Sequence, residues 1–295
     1  MLSLCVTFSI LLSNIWAQES PPLASDGLAT ALHLSTTLHP TIKSKLDELR
    51  ALGFDLDSAE AQRYPTFSLQ AQTMSNDQHQ VIAVLQQPLW VGGRIDVAID
   101  QSDVKVKIGR AALLGIQRQL LENTAATYAT LQGVRQRLKA AELNVTEHEK
   151  LKQLISRREA GGIASNADVL LAASRTSQAV AQRIQLEGVL LRAENDLLAL
   201  TQQPVAGREP VNKSFTALPE ISMVAPAIVK ASATLASFLR QYDAGRKSWV
   251  DVLNTQRELS DARLGLEQTR SSLQETTLRL GAQLGLLDSY AGVQK

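Results

Sequence analysis

Two aspartates recur at matching places in a duplicated motif. The segments EAGGIASNADVLL, from Glu159, and YDAGRKSWVDVLN, from Tyr242, align without a gap. Gly162 pairs with Gly245, Ser165 with Ser248, and Asp168-Val169-Leu170 with Asp251-Val252-Leu253, each pair 83 residues apart. Each copy is a glycine-containing break followed by an acid at the start of a helical stretch. A carboxylate there complements the positive end of the helix macrodipole. Other chemistry is scarce. His33, His39, His79 and His148 are scattered, with no Cys-x-x-Cys or His-Glu-x-x-His spacing to hold a metal. Glu147-His148-Glu149 falls within helical sequence, where adjacent residues point apart, and reads as a solvated face. Gly92-Gly93 lacks the spacing and the lysine of a phosphate-binding loop. Asn144-Val145-Thr146 matches a glycosylation sequon, but in mid-helix. With no nucleophile elbow either, the residues support neither an enzyme nor a cofactor.

The elements that must position the two turns follow from composition and period. The chain has 295 residues, a formal net charge of +1, 44% hydrophobic residues and only 4% aromatics. Such a composition suits long helices packed through small side chains. The 30 Lys and Arg are matched by 29 acids, which leaves no concentrated basic face for nucleic acid.

Residues 1–17, MLSLCVTFSILLSNIWA, form an apolar run too short for a comfortable membrane span and ending in Ala before Gln18. It reads as a signal peptide, although no Lys or Arg precedes it, and it also fits a buried N-terminal segment. Cleavage after Ala17 would remove Cys5, the sole cysteine. Residues 18–38 are polar and Pro-containing and read as a loose lead-in. His39-Pro40 opens a helix with Ile42, Leu46, Leu49 and Leu52 in period, and Tyr64-Pro65 should end it. The period then changes. Thr66–Met74 and Val81–Trp90 are strand candidates around the turn SNDQHQ, giving a β-hairpin over 66–90. Their length approaches the roughly 9–11 residues of a tilted membrane strand, and an ordinary soluble hairpin fits equally.

After Gly92-Gly93 a helix is expected over 94–158, which would be about 97 Å long if unbroken. A second helix is expected over 165–201, before the connection QQPVAGREP. A last helix is expected over 248–286, with Val252, Leu259, Leu266, Leu273, Leu280 and Leu287 every seven residues. Thr255, Ala262, Thr269 and Thr276 lie three positions further on. A seven-residue repeat of this kind supports antiparallel coiled-coil helix pairs.

Together these stretches resemble the TolC family of bacterial outer-membrane efflux and secretion channels. HPTIKSKLDEL is similar to the family's opening helix, and PTFSLQAQ with QQPLWVGGRID to its strand leading through Gly-Gly-Arg into a long helix. The two repeated turns complete the likeness. The resemblance implies a mainly α protein with long antiparallel coiled-coil helices and a β-hairpin. It implies a homotrimer in the outer membrane of a Gram-negative bacterium, with barrel strands in the lipid and helices in the periplasm. A periplasmic adaptor and an inner-membrane transporter would be its partners, and the chain would be a passive conduit for type I secretion or multidrug efflux. The turns become hairpin tips where adaptors dock, comprising Gly161, Gly162, Ile163 and Ser165 in the first and Gly245, Arg246 and Ser248 in the second. Asp251 matches a pore-narrowing carboxylate. Tyr242 and Lys247 match residues holding the tip closed, and Asp168 their acidic partner. Asn254 stands where some members carry a second pore-facing Asp. Helix-terminal acids are the plainer reading of Asp168 and Asp251.

One departure bears on all of this. In the first repeat, 39–210, Pro40 precedes Gly162 by 122 positions, whereas in the second, 211–295, Pro219 precedes Gly245 by only 26. EISMVAPAIVKASATLASFLRQ joins the start of the second repeat almost directly to its tip at 242–251. A second hairpin and most of one long helix have no counterpart. A trimer would then supply six strands where the family uses twelve, and bare sheet edges cannot face lipid. An internally shortened, impaired channel, a different stoichiometry, or a soluble periplasmic coiled-coil scaffold or adaptor all fit this.

Overall fold

The structure, a computed structural model, describes residues 27–73, 79–205 and 225–288. The expected signal peptide and most of the connection after Thr201 lie outside them. Six helices and one hairpin follow in the order α1 Leu28–Leu38, α2 Pro40–Ala61, β1 Thr66–Thr73, β2 His79–Gln86, α3 Arg94–Ala160, α4 Asn166–Thr201, α5 Ala225–Asp243 and α6 Trp249–Gln283. The architecture is mainly α, with long antiparallel helices and a single β-hairpin among the described residues.

At 67 residues, α3 is about 100 Å long and forms the spine. α2 packs along its N-terminal part, while α4 and α6 both pack along the rest. Two hydrophobic clusters hold the helices. The upper one joins Leu28 and Leu32 of α1, Leu121 and Tyr128 of α3, Leu197 of α4 and Leu278 of α6. The lower one, beside the turns, joins Leu151 and Ile155 of α3, Ala172 of α4, and Trp249, Val252 and Leu253 of α6. Between them α3 and α6 meet through polar side chains. Arg263 Nη1 donates to both carboxylate oxygens of Glu147 at 2.9 Å, and the buried Ser260 donates to Asn144. A polar layer inside an apolar seam costs stability and fixes which residues face each other.

Four expectations are corrected. Residues 28–38 of the lead-in are not loose but form α1. Leu28, Ala31, Leu32, Ser35 and Thr36 make a buried stripe, and Ser35 Oγ is satisfied by donating to Leu32 O at 2.8 Å. The helix stops because the residue before Pro40 is pushed to extended backbone (His39 ψ 132°). The second strand runs over 79–86, not 81–90, since Pro88 has no N–H for a ladder. Leu89 and Trp90 stand outside the sheet and almost fully exposed. The seven-residue seam of α6 holds for Val252, Leu259 and Leu266, then shifts. Leu280 is 54% exposed, while Leu278 and Ala282 are buried. A helix near 3.6 residues per turn drifts about 20° per heptad, which moves the buried stripe sideways. His148 is buried instead of solvated, and Asn144 of the mid-helix sequon is buried as well.

The hairpin pairs Phe67 with Leu85, Leu69 with Ala83 and Ala71 with Val81 on one face. Phe67, Leu69, Val81 and Leu85 are each 64–72% exposed, so this apolar face has no cover among the described residues. The Arg63–Asp96 ion pair (2.6 Å) ties the hairpin base to α3. No described helix is long and apolar enough to cross a membrane.

Candidate functional site

The two repeated turns have the same geometry. Each helix ending at a turn closes with a paired hydrogen-bond motif. In the first, Gly162 N donates to Glu159 O (2.8 Å) and Ile163 N to Arg158 O (2.9 Å). In the second, Gly245 N donates to Tyr242 O (3.0 Å) and Arg246 N to Gln241 O (2.8 Å). The motif puts one residue in the left-handed region, and Gly162 (φ 72°) and Gly245 (φ 73°) occupy that place. Three residues later the next helix opens with a reciprocal cap. Asp168 N donates to Ser165 Oγ (3.2 Å), while Ser165 Oγ and N donate to Asp168 Oδ2 (2.8 and 3.4 Å). Asp251 N donates to Ser248 Oγ (3.2 Å), and Ser248 Oγ and N donate to Asp251 Oδ2 (2.9 and 3.2 Å). The Ser-x-x-Asp spacing carries this signal in sequence.

The caps set the electrostatics. Donation from the Ser248 hydroxyl, then from its backbone N–H, holds the Asp251 carboxyl below the ordinary aspartate range, with a smaller contribution from Lys247. Lys247 Nζ lies 4.0 Å from Asp251 and 4.4 Å from the centroid of the Phe238 ring. Asp251 therefore stays ionised and partly exposed, as a fixed negative point beside the second turn. Asn254 is half-buried one turn further along α6.

The turns are joined through residues that spacing alone did not single out. Arg158 Nη2 reaches Asp243 Oδ1 at 3.1 Å, and the same guanidinium sits 4.8 Å from the Tyr242 ring centroid. Tyr242 in turn packs on the buried Trp249 at 5.2 Å between centroids. Arg158 stands in the last turn of α3, and its acidic partner lies on another helix, beyond any local sequence pattern. Tyr242 and Lys247 thus lie at one turn, with Asp251. Asp168 sits on the other turn, hydrogen-bonded to its own cap and to neither of them within the chain. Gly161, Gly162, Ile163 and Ser165, with Gly245, Arg246 and Ser248, form the exposed crests of the two turns, Ile163 at 74% exposure. The arrangement can hold two helical hairpins side by side and present carboxylates and an apolar crest.

Comparison with known proteins agrees with this architecture. The profile of the family described as outer membrane efflux protein matches residues 32–202, more than half of the chain. Among solved structures, a membrane protein from Pseudomonas aeruginosa aligns with a TM-score of 0.68 and 12% identity, covering 90% of this chain and 92% of that one. The outer membrane protein VceC from Vibrio cholerae aligns at 0.65 and 11%, covering 90% and 96%. The Campylobacter jejuni outer membrane channel CmeC aligns at 0.63 and 10%, covering 91% and 86%. At these identities the likeness is one of fold. No curated protein matches the chain in sequence. With its long-helix spine, its hairpin and the span of the profile match, the chain belongs to the outer membrane efflux protein family and has the TolC-like fold.

Proposed function

We propose that the chain is an outer-membrane channel subunit, a passive conduit for type I secretion or multidrug efflux, in an internally shortened form. The observation that carries this is the duplicated tip. Two helical hairpins end in matching turns, each with a left-handed glycine and a Ser–Asp cap, at one end of a spine about 100 Å long. Three copies around an axis would bring three Asp251 carboxylates to one constriction. With Asn254 in place of a second acid, the ring carries three charges, not six. The crests Gly161–Ile163 and Gly245–Arg246 would meet a periplasmic adaptor that links the tube to an inner-membrane transporter. The uncovered apolar face of the hairpin would face lipid in the outer membrane of a Gram-negative cell.

A second reading has its own observation. α5 has 19 residues, about 28 Å, against 35 residues and about 52 Å for α6, and one hairpin is present among the described residues. Six strands from a trimer make a poor barrel, so a periplasmic helical scaffold is the alternative. Membrane extraction separates the two. A channel subunit resists alkali and runs as a detergent-stable trimer, whereas a correctly processed chain that washes out as a monomer ends the channel reading.

A further inference from the structure

The two most exposed large apolar side chains among the described residues are chain neighbours at the base of the hairpin. Leu89 is 93% exposed and Trp90 87%. Tyr64, on the other side of the base, is 69% exposed. Both sides lie just below the last ladder pair, Thr66 with Gln86. They are also joined, since Gln87 Nε2 donates to Arg63 O at 3.1 Å.

Polarity changes in a fixed order along this end of the molecule. One face of the hairpin presents Phe67, Leu69, Ala71, Val81, Ala83 and Leu85, all apolar. The other mixes Ile82 and Val84 with Thr66, Ser68, Gln70 and Gln86. Below the ladder come Tyr64, Leu89 and Trp90, and below those the exposed Arg63, Arg94 and Asp96. Arg63 and Asp96 are ion-paired at 2.6 Å. A surface facing only water gains nothing from a bare Leu-Trp pair between an apolar sheet and a charged helix end. A bilayer has this order of layers. Hydrocarbon takes the apolar strand face, and the headgroup level takes Trp and Tyr, whose rings are apolar while their N–H and O–H reach polar groups. Water then takes the ion pair.

We propose that Tyr64, Leu89 and Trp90 form an interfacial anchor that seats the base of the hairpin in the headgroup layer of a phospholipid leaflet. The proposal rests on the outer-membrane reading above, in which this is the periplasmic leaflet, and adds the depth at which the chain stops. Because the Arg63–Asp96 pair ties the base to the first turn of α3, the depth of Trp90 also sets where the helical spine begins.

Trp90 is one of three tryptophans, the others being Trp16 and the buried Trp249. The difference in fluorescence between the full chain and Trp90→Phe therefore isolates Trp90 without touching the core. Both proteins are reconstituted in phosphatidylethanolamine–phosphatidylglycerol vesicles doped with phospholipid brominated either near the carbonyls or near the chain ends. The Trp90 signal should be quenched about 2-fold or more strongly by the first lipid than by the second. Acrylamide should quench it several-fold less than in the denatured chain. Tyr64→Trp, made in the Trp90→Phe protein, should bring back the same preference, because both residues flank one end of the ladder. Stronger quenching by the deep bromines, or acrylamide access equal to that of the denatured chain, would overturn the anchor. So would a Trp90 shielded from acrylamide and lipid alike, the mark of a protein cover. In a chain that floats with the vesicles these outcomes leave the channel reading standing, whereas a chain that does not float overturns both.

Discussion

Arg158, in the last turn of α3, places its guanidinium 3.1 Å from the carboxylate of Asp243, in the last turn of α5. The pairing is asymmetric in its demands. Asp243 sits at the negative end of its own helix dipole, where an acid is unfavourable, and Arg158 supplies the offsetting charge from outside. Because the same guanidinium lies over Tyr242, one side chain ties α5 to the spine by two contacts.

Replacing Arg158 should therefore loosen α5 specifically. The ion pair is partly exposed and contributes ~0.2–1 kcal/mol, and the ring contact about 0.5–1 kcal/mol. Arg158→Gln should speed hydrogen exchange across 225–243 several-fold and leave α4 unchanged. Arg158→Lys should restore part of the protection, since it keeps the charge but not the planar stacking. Equal exchange in all three proteins would show that Arg158 does not hold α5.

The reciprocal caps make a second expectation. Removing an N-cap hydroxyl typically costs about 1 kcal/mol, so Ser165→Ala and Ser248→Ala should each lower the unfolding midpoint by a similar amount. Gly162→Ala and Gly245→Ala meet open space, so their penalty is the backbone one alone, about 1–2 kcal/mol for forcing a Cβ into the left-handed region. Denaturant unfolding of the four variants checks this. A Gly→Ala change with no cost would mean that the turn had relaxed out of its capped geometry.

The Asp251 cap also predicts a pH response. Its carboxyl pKa is depressed in the folded protein by the Ser248 donors. A depressed acid stabilises the fold above its unfolded pKa, near 3.9, and loses that contribution as pH falls through the lower folded value. Lowering pH from about 5 toward 2 should thus weaken the second turn progressively, and Asp251→Asn should flatten that part of the curve. The check is the pH dependence of unfolding for the two proteins. Identical slopes would remove the cap from the acid response.

How much of this could be read from residues depends on where the partner of each residue lies. The turns were legible because their determinants are local: a glycine, a serine and an aspartate within seven positions specify each cap. The long α3 helix was legible for the same reason. α1 was missed because two of its five buried positions are Ser35 and Thr36, whose hydroxyls bond back to the helix and hide the apolar stripe from a hydropathy reading. His148 was misread because the acids beside it imply solvent, and only the arrival of α4 and α6 buries it. Arg158 and Asp243 belong to helices 85 residues apart in the chain, and no local pattern announces their pairing.

If three chains form a conducting tube as proposed, Asn254 offers a gain-of-function test. Asn254→Asp would double the constriction charge from three to six, and Asp251→Asn would remove it. Two unit charges 4 Å apart interact with about 4 kcal/mol near a protein surface, so a ring of six should bind polyvalent cations distinctly more tightly than a ring of three. In single-channel recordings block by such cations should strengthen in the first variant and vanish in the second. Unaltered block in both variants, with normal conductance, would place α6 away from the pore and leave Asp251 as a cap alone.

A close approach of the spine to α6 at Gly133 gives the last expectation. A Cβ built on Gly133 of α3 would lie 2.3 Å from Ser271 Cβ and 2.0 Å from its Oγ, distances that no pair of side chains sustains. Ser271 is buried on α6, so it cannot swing clear. Gly133 is a poor helix former by about 1 kcal/mol relative to Ala, so a substitution in an isolated helix would stabilise it. Here contact should win over propensity: overpacking typically costs ~1–3 kcal/mol, and the clash falls between the two hydrophobic clusters, where both helices are anchored on either side. Gly133→Ala should be destabilising, and Ser271→Gly in the same chain should recover most of the loss by removing both clashing atoms. A stabilising Gly133→Ala, or a double variant no better than the single, would show that α3 and α6 stand further apart than this packing requires.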